Sequence, residues 1–368
     1  MWITFARKIT MMTVGDRMKA FAGLGEILSA ICRGKSGGGN VPGKAWDAGS
    51  ELAHLVEEAH QYNGWFTEDM VRHMVCAIAE SLSAFHLETW IAPYRAELEK
   101  KTKTATVGVV MAGNIPLVGF HDFLTVLIAG HSIAAKLSSE DDRLLPAVAE
   151  ILLAIEPRFE EAIRFVNGKL ERFDAIIATG SNNSARYFNY YFGRYPHVIR
   201  NNRNGVAVLT GSETEDDLNN LADDIFLYYG LGCRSVSRLF VPSGYDFDPL
   251  LKVLASRKKI AENHKFFNNY EYNKAIYLVS STPHLDCGNL ILVESEQYAS
   301  PVSVLNYSYY RSLEEVSKQL ADSADEVQCI VSNANLPGGA VPLGQSQQPG
   351  LGDYADGVDT MRFLIGLK

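Results

Sequence analysis

Ala105-Thr106-Val107-Gly108-Val109-Val110-Met111-Ala112-Gly113-Asn114-Ile115-Pro116-Leu117-Val118-Gly119-Phe120 is the stretch on which the fold turns. Residues 105–111 form a short apolar block, expected to be a buried strand. The turn at 113–119 leads into an expected helix over 120–129, with Phe123, Val126 and Leu127 on one side. The same alternation continues downstream. Strands are expected at 132–137, 161–166, 175–178 and 206–209, with helices at 144–155 and 184–192. Strands alternating with helices argue for an α/β fold whose parallel sheet carries helices on both faces. Such sheets bind ligands at the carboxyl ends of their strands.

Upstream of residue 100 the pattern is mostly helical, broken by a flexible glycine-rich stretch at 34–42. Gly34-Lys35-Ser36 mimics the end of a phosphate-binding loop, but the upstream glycine and the preceding strand are missing, so it reads as a loop. A second αβ series starts near Thr214. A helix is expected over 214–229, capped by Ser212 or Thr214. Its acidic first turn is Glu215, Asp216 and Asp217, and Leu218, Leu221, Ala222, Ile225 and Tyr229 form its apolar stripe. Further strands are expected at 238–241, 275–279, 290–293, 302–305 and 327–331, with a helix at 313–320.

Composition sets limits on function. A chain of 368 residues is too long for one ordinary core and predicts two domains. A net charge of -9 argues against nucleic acid or an anionic membrane as main partner, and no apolar run is long enough to span a bilayer. The five cysteines are odd in number and widely spaced, without a CxxC pair. That suggests no disulfide framework and no metal site, and it fits a reducing, cytoplasmic compartment.

One thiol stands apart. Cys233 lies in Gly230-Leu231-Gly232-Cys233-Arg234-Ser235, between the expected helix and strand. A thiol on such a loop can be presented to a ligand as a nucleophile. The end of a helix in front of it is a negative dipole end and disfavours a thiolate, and Arg234 is the nearest cation. Cys76 and Cys329 sit in apolar runs and read as packing; Cys287 reads as an exposed thiol without a partner. His121 reads as packing at a helix start, and His264 as solvated. Phe266, Phe267, Tyr270, Tyr272 and Tyr277 either line an acyl tunnel or pack a core, the second being commoner.

Four other segments carry candidate chemistry. Asn114, on its strand-to-helix turn, can donate an amide to an oxyanion, although a turn asparagine alone is the blander account. Lys136, with Ser139 and Glu140, ends a strand where a ribose or phosphate can be met. Thr179-Gly180-Ser181 is a strand-to-helix turn that can offer backbone N–H groups to a pyrophosphate, without the GxGxxG fingerprint. Pro342-Leu343-Gly344-Gln345-Ser346-Gln347-Gln348-Pro349-Gly350-Leu351-Gly352-Asp353 is glycine-rich, and the apolar residues at 361–367 after it suggest a docked end.

In order and spacing these segments resemble the aldehyde dehydrogenase superfamily over roughly residues 105–368. Asn114 is similar to the asparagine of its Pro-Trp-Asn-Phe-Pro turn. Lys136 and Ser139-Glu140 resemble its Lys-Pro-Ser-Glu strand end, and Thr179-Gly180-Ser181 its Phe-Thr-Gly-Ser turn. Cys233 resembles the nucleophile of its Gly-Gln-x-Cys loop. Glu296 is similar to the glutamate of its Glu-x-Phe-Gly-Pro element, one register away. The resemblance implies a Rossmann-type cofactor domain with the N-terminal helices (1–212), a smaller α/β catalytic cysteine domain (213–340), and a C-terminal segment (341–368) returning to the cofactor domain or an oligomer interface. Cys233 and Asn114 are then catalytic. Lys136, Ser139, Thr179, Gly180, Ser181 and Glu296 bind cofactor.

Departures refine the expectation. The superfamily's Glu-Leu-Gly-Gly-Lys carries the base that activates the hydrolytic water. The corresponding stretch here, Val198-Ile199-Arg200-Asn201-Asn202-Arg203-Asn204, has no acid. With Gly-Leu-Gly-Cys-Arg-Ser around the thiol and a short chain, the sequence resembles the acyl-CoA reductases of the LuxC type. That implies NADP(H), with NAD(H) as alternative and no metal; acyl-CoA and CoA as partners; and a homo-oligomer. Two other readings stay open: a reductase of acyl phosphates or acyl-carrier-protein thioesters, and a catalytically silent binding subunit.

Overall fold

The computed structural model describes residues 12–34, 42–101 and 103–367. Lys35 and Ser36 of the phosphate-loop look-alike lie outside the described residues. The chain divides into two compact units: Met1–Glu58, Val71–Arg200 and Gly350–Lys368 form one, Ala59–Met70 and Asn201–Pro349 the other.

The first unit opens with helices α1 (Val14–Cys32) and α2 (Gly43–Glu58), followed by α3 (Glu68–Ser81), whose first residues belong to the second unit, α4 (Ala84–Ile91) and α5 (Arg95–Lys100). Thr13 and Asp16 close a reciprocal capping box at the start of α1. Then come β1 (Thr106–Val110), α6 (Phe120–Ile128), β2 (Ser132–Lys136), α7 (Leu144–Ile155), β3 (Ile163–Phe165), β4 (Ala175–Thr179), α8 (Asn182–Phe192) and β5 (His197–Arg200). The strands form a parallel sheet in the order β3-β2-β1-β4-β5. The chain therefore steps outward from β1 and then returns to its other side at β4. The crevice between the carboxyl ends of β1 and β4 is the topological switch point, where open α/β sheets bind ligands. The turns leaving those two strands carry Asn114 and Thr179-Gly180-Ser181.

The second unit contains β6 (Asn204–Val208), α9 (Glu215–Phe226), β7 (Val236–Pro242), α10 (Asp248–Ser256), α11 (His264–Val279), β8 (Leu285–Asp286), β9 (Ile291–Glu294), β10 (Val304–Tyr310), α12 (Leu313–Asp322) and β11 (Val327–Val331). The sheet runs β11-β6-β7-β10-β9-β8, parallel except for β8. Leu218, Leu221 and Ile225 of α9 pack on one face with Phe266 of α11, and Val316 and Leu320 of α12 pack on the other. The final helix, α13 (Thr360–Ile365), belongs to the first unit.

Several expectations are corrected. Residues 275–279 are the last turn and a half of α11, not a strand. Asn263 caps that helix through Phe266 N–H, and Phe266, Tyr270 and Asn273 repeat at helical spacing toward the core. Five apolar residues cannot by themselves separate strand from helix. The strand at 204–208 pairs with β7 and β11, so the second sheet begins before α9. His197–Arg200 is an edge strand that its polar neighbours conceal.

Cys76 is not merely packed. It forms a disulfide with Cys32, the last residue of α1, where the end of α1 meets α3 with the two Cα atoms 5.6 Å apart. Arg72 of α3 reinforces that approach by donating to the carbonyl of Ile31. Wide spacing in sequence therefore says nothing here about the redox compartment. Cys287 is half-buried, with its Sγ 3.1 Å from Asn289 Oδ1 and 3.3 Å from the Leu290 carbonyl, not exposed and unpartnered. Burial pushes its thiol pKa up.

The bridge closes a loop of sequence separation 44. Peptide mapping without reductant is expected to recover a Cys32–Cys76 cross-linked peptide, and reduction should lower stability by roughly 2–4 kcal/mol. An unfolding midpoint indifferent to reductant would argue against a closed bridge.

Candidate active site

The helix before the nucleophile candidate ends earlier than its apolar stripe suggests. α9 stops at Phe226, and Tyr228, Tyr229 and Gly230 follow in left-handed conformation at φ +54°, +57° and +73°. Tyr228 and Tyr229 are held by burial, Tyr229 packing on Trp65 and Phe266. Cys233 is therefore seven residues beyond the α-helix, in a tight turn at the amino end of β7, and exposed. The helix-dipole objection to a thiolate weakens with that separation, since the effect is confined to the last turn.

The turn is braced from three sides. Ser235 N–H donates to the Gly232 carbonyl at 3.0 Å. Gly205 of β6 crosses directly beneath it; a Cβ at that position would lie 2.4 Å from the Arg234 carbonyl oxygen and 2.6 Å from that of Ser235. The glycine-rich segment supplies the third side. Arg234 Nε donates to the Ser346 carbonyl at 2.5 Å, and Gln347 Nε2 to Ser235 Oγ at 3.1 Å. That segment is in turn fastened to α9, because Asp224, 1% exposed, accepts the N–H groups of Gly344 (2.6 Å) and Ser346 (2.9 Å). Burial raises the Asp224 pKa, and these N–H groups oppose the rise.

Glu296 lies in the same unit. Its carboxylate is exposed, and it is paired at 2.5 Å with the wholly buried guanidinium of Arg238. Arg238 is clamped between the rings of Phe240 and Tyr298, with centroid distances of 4.4 and 4.8 Å, and also donates to Ser308 Oγ. Arg238 thereby fixes the direction of Glu296. The reason is physical: a buried guanidinium needs acceptors, and the loop after β9 provides them.

In the first unit, Asn114, Lys136, Ser139, Thr179, Gly180 and Ser181 all follow or end strands at the carboxyl edge of the sheet. Asn114 is exposed on its turn. That turn passes through Leu117 at φ +52°, whose N–H donates to Asp141 Oδ2 at 2.7 Å. Ser181 caps α8 by accepting Ser184 N–H. Gly180 is a close-approach position: a Cβ there would lie 2.8 Å from Ser184 Cβ and 2.9 Å from the Phe188 ring. His121 bonds the Leu351 carbonyl and packs on Trp90 and Tyr354, with its pKa lowered by burial, so its role is packing. Phe266 and Tyr270 are core, whereas Phe267 and Tyr272 are exposed, so the aromatic run lines no single surface.

Arg200 ends β5 in the stretch where an acid is missing. It is buried and bidentate to Asp122 at 2.6 and 2.8 Å, with Thr360 Oγ1 also accepting. The Asp122 carboxylate beside that strand end is thus buried in an ion pair.

Sequence reasoning passed over Asp141, Asp224 and Arg238. The only available signal was a charged residue inside an otherwise apolar or turn-forming context.

Solved structures with the same architecture are aldehyde dehydrogenases. Aldehyde dehydrogenase 21 from Physcomitrella patens, bound to succinate, matches 87% of this chain and 78% of its own at TM-score 0.60 and 13% identity. An NAD-dependent aldehyde dehydrogenase from Sinorhizobium meliloti matches 87% and 70% at 0.61 and 13%. The NAD+ complex of the Bacillus cereus enzyme matches 84% and 69% at 0.56 and 13%. The fold is thus that of the aldehyde dehydrogenases. Within that class, the family model for acyl-CoA reductase (LuxC) matches residues 64–261, more than half of the chain, and the protein belongs to that family.

Two outcomes follow for the braces. Burial pushes the Asp141 pKa up to about 6, so its contribution to stability is present at low pH and is lost as pH rises through 6. Asp141→Asn should remove that loss. Relative to wild type it should gain about 1 kcal/mol between pH 5 and 7.5 in denaturant unfolding; a constant difference would refute the assignment. Asp224→Ala leaves two N–H groups without their acceptor. It should cost about 3 kcal/mol and slow iodoacetamide alkylation of Cys233, read by peptide mass.

Proposed function

We propose that the protein reduces a fatty acyl-CoA thioester to the aldehyde with NADPH, through an acyl-Cys233 intermediate. One observation carries this reading: a chain of the acyl-CoA reductase family presents an exposed, braced thiol, while the strand end that should supply a hydrolytic base supplies the paired Arg200.

The thiolate of Cys233 adds to the thioester carbonyl, the bond to the CoA sulfur breaks, and CoA leaves as thiolate to take up a proton. The acyl group is then held on Cys233. Without a base to activate water it persists, rather than being released as free acid. NADPH, when bound, supplies the hydride that reduces this acyl group. The resulting thiohemiacetal oxyanion collapses, the carbon–Sγ bond breaks, the aldehyde departs and Cys233 is regenerated. The oxyanion donors that the family resemblance implies for the two tetrahedral stages are the Asn114 amide and the Cys233 backbone N–H.

The residues at the first sheet's carboxyl edge suit a dinucleotide. Gly180 lets the turn pack closely on Ser184 and Phe188 of α8, and the α8 N-terminus beside it offers backbone N–H groups to a pyrophosphate. Lys136 and Ser139 are assigned to the ribose, Thr179, Gly180 and Ser181 to the phosphates, and Glu296, aimed by Arg238, to the same cofactor. Self-association into a homo-oligomer belongs to this proposal. Among the described residues no helix is long and apolar enough to cross a membrane, and no cluster of side chains could hold a metal ion.

Incubation with an acyl-CoA in the absence of NADPH should add the acyl mass to the peptide bearing Cys233. Cys233→Ala should abolish both this adduct and NADPH oxidation. Asn114→Ala should lower kcat by about 10²–10³-fold with little change in KM. Full activity in Cys233→Ala would overturn the mechanism, and absence of acylation by any acyl-CoA would overturn the substrate.

A further inference from the structure

Asn114 is exposed at the tip of a turn whose other residues from Gly113 to Leu117 are buried. Both flanks of that tip are pinned to one loop, residues 138–141, which follows β2. On the first flank Gly113 lies flat against the loop. A Cβ there would stand 2.6 Å from Ser138 Oγ, 2.7 Å from Ser138 Cβ and 3.1 Å from Glu140 Cβ. On the second flank Leu117 N–H donates to Asp141 Oδ2 at 2.7 Å. The loop is itself a closed turn. Asp141 N–H donates to the Ser138 carbonyl at 3.1 Å, and Glu140 N–H to Ser138 Oγ at 3.2 Å.

Leu117 is where the turn is strained. It is 2% exposed and has left-handed backbone at φ +52°, which residues with a bulky side chain rarely adopt. Such strain persists only where the surroundings impose it, and it gathers at functional sites. Here the imposing group is the Asp141 carboxylate, buried at 8% exposure. A buried N–H without its acceptor is costly. With Asp141 gone, Leu117 gains more by turning its N–H elsewhere than by staying left-handed. That turn redirects the chain on its amino side, where Asn114 lies three residues away.

We propose that Asp141 is a positioning residue for the chemistry: by holding Leu117 in its left-handed conformation, it keeps the Asn114 amide aimed where the oxyanion forms. The inference rests on the donor role that the family resemblance implies for Asn114, and it names the group that makes that role possible. An oxyanion donor is effective because it is in place before charge develops and needs no reorganisation at the moment of reaction. An exposed side chain meets that condition only as well as its backbone is tethered. Ser139, assigned above to the ribose, lies in the same loop, so the donor and the ribose contact share one frame.

The test is the burst of p-nitrophenolate from p-nitrophenyl acetate with the full chain, without nucleotide or CoA. The Cys233 thiolate adds to the ester carbonyl, the bond to the aryl oxygen breaks, and p-nitrophenolate leaves an acetyl group on Sγ. This step passes through an oxyanion. Alkylation of the same thiol by iodoacetamide displaces iodide at a saturated carbon and forms none. Asp141→Ala should slow the burst roughly 10–10²-fold and leave alkylation of Cys233 within about twofold. Asp141→Asn keeps an oxygen acceptor for Leu117 N–H and should restore the burst to within about twofold of wild type. Asp141→Leu has the shape of aspartate without the acceptor; it should match Asp141→Ala, and it serves where the smaller residue costs the fold. In the Asn114→Ala background, Asp141→Ala should slow the burst by less than about twofold more, because it acts through Asn114. A burst indifferent to loss of the carboxylate would overturn the proposal, as would Asp141→Asn as slow as Asp141→Ala. So would equal slowing of burst and alkylation, an undiminished effect in the Asn114→Ala background, or no burst from the wild-type chain. A burst that depends on Asp141, without acylation by any acyl-CoA, would support the positioning role and overturn only the substrate proposed above.

Discussion

A buried backbone N–H must find an acceptor, and the loops that carry the chemistry of this protein are shaped by that requirement. Irregular turns cannot satisfy one another as ladders do. At two of them a buried carboxylate does the work. Asp224 reaches from α9 to Gly344 and Ser346, whose segment in turn holds Arg234 and Ser235 on the far side of the thiol. Asp141 reaches from the loop after β2 to Leu117, in the turn bearing Asn114. Both carboxyl pKa values are raised by burial, which is the cost of placing an acceptor where no water reaches. The turns owe their shape to side chains from neighbouring elements more than to their own residues.

That arrangement explains how far the sequence could be read. Short apolar strands separated by amphipathic helices predicted both sheets closely. β1, β2 and β4 lie where the apolar runs placed them, because strands buried on both faces advertise themselves by composition, and the edge strand β11 does so too through its apolar run. The exposed thiol and the turns at Asn114 and Thr179 were visible as local motifs. The braces were not, since Asp224 and Ser346 are 122 residues apart and only tertiary structure joins them. Residues 275–279 failed for a different reason. A five-residue apolar run has no period long enough to choose between helix and strand, and the deciding cap at Asn263 lies twelve residues earlier. The Cys32–Cys76 bridge joins helices whose packing no spacing rule foretells.

Arg200 and Arg238 illustrate two uses of a buried guanidinium. Arg200 is satisfied by an equally buried aspartate, so the pair is internally neutral. Arg238 is satisfied by Glu296, which is 78% exposed at its side chain. A pair with one member in solvent can still interact with a ligand, whereas a pair sealed from it cannot. The carboxylate paired with Arg200 is sealed from solvent, and the one directed by Arg238 is open to it.

The bond from Arg234 to the Ser346 carbonyl spans 112 residues. Ribosomes add about 5–20 residues per second, so the segment that finishes the Cys233 turn is made roughly ten seconds after the thiol itself. During synthesis the second sheet likewise lacks β11, which pairs with β6 from the far end of the unit. Cys233 therefore spends its first seconds in an incomplete environment. Its geometry is settled only when the last part of its own unit arrives, which ties the finished turn to the end of translation of that unit.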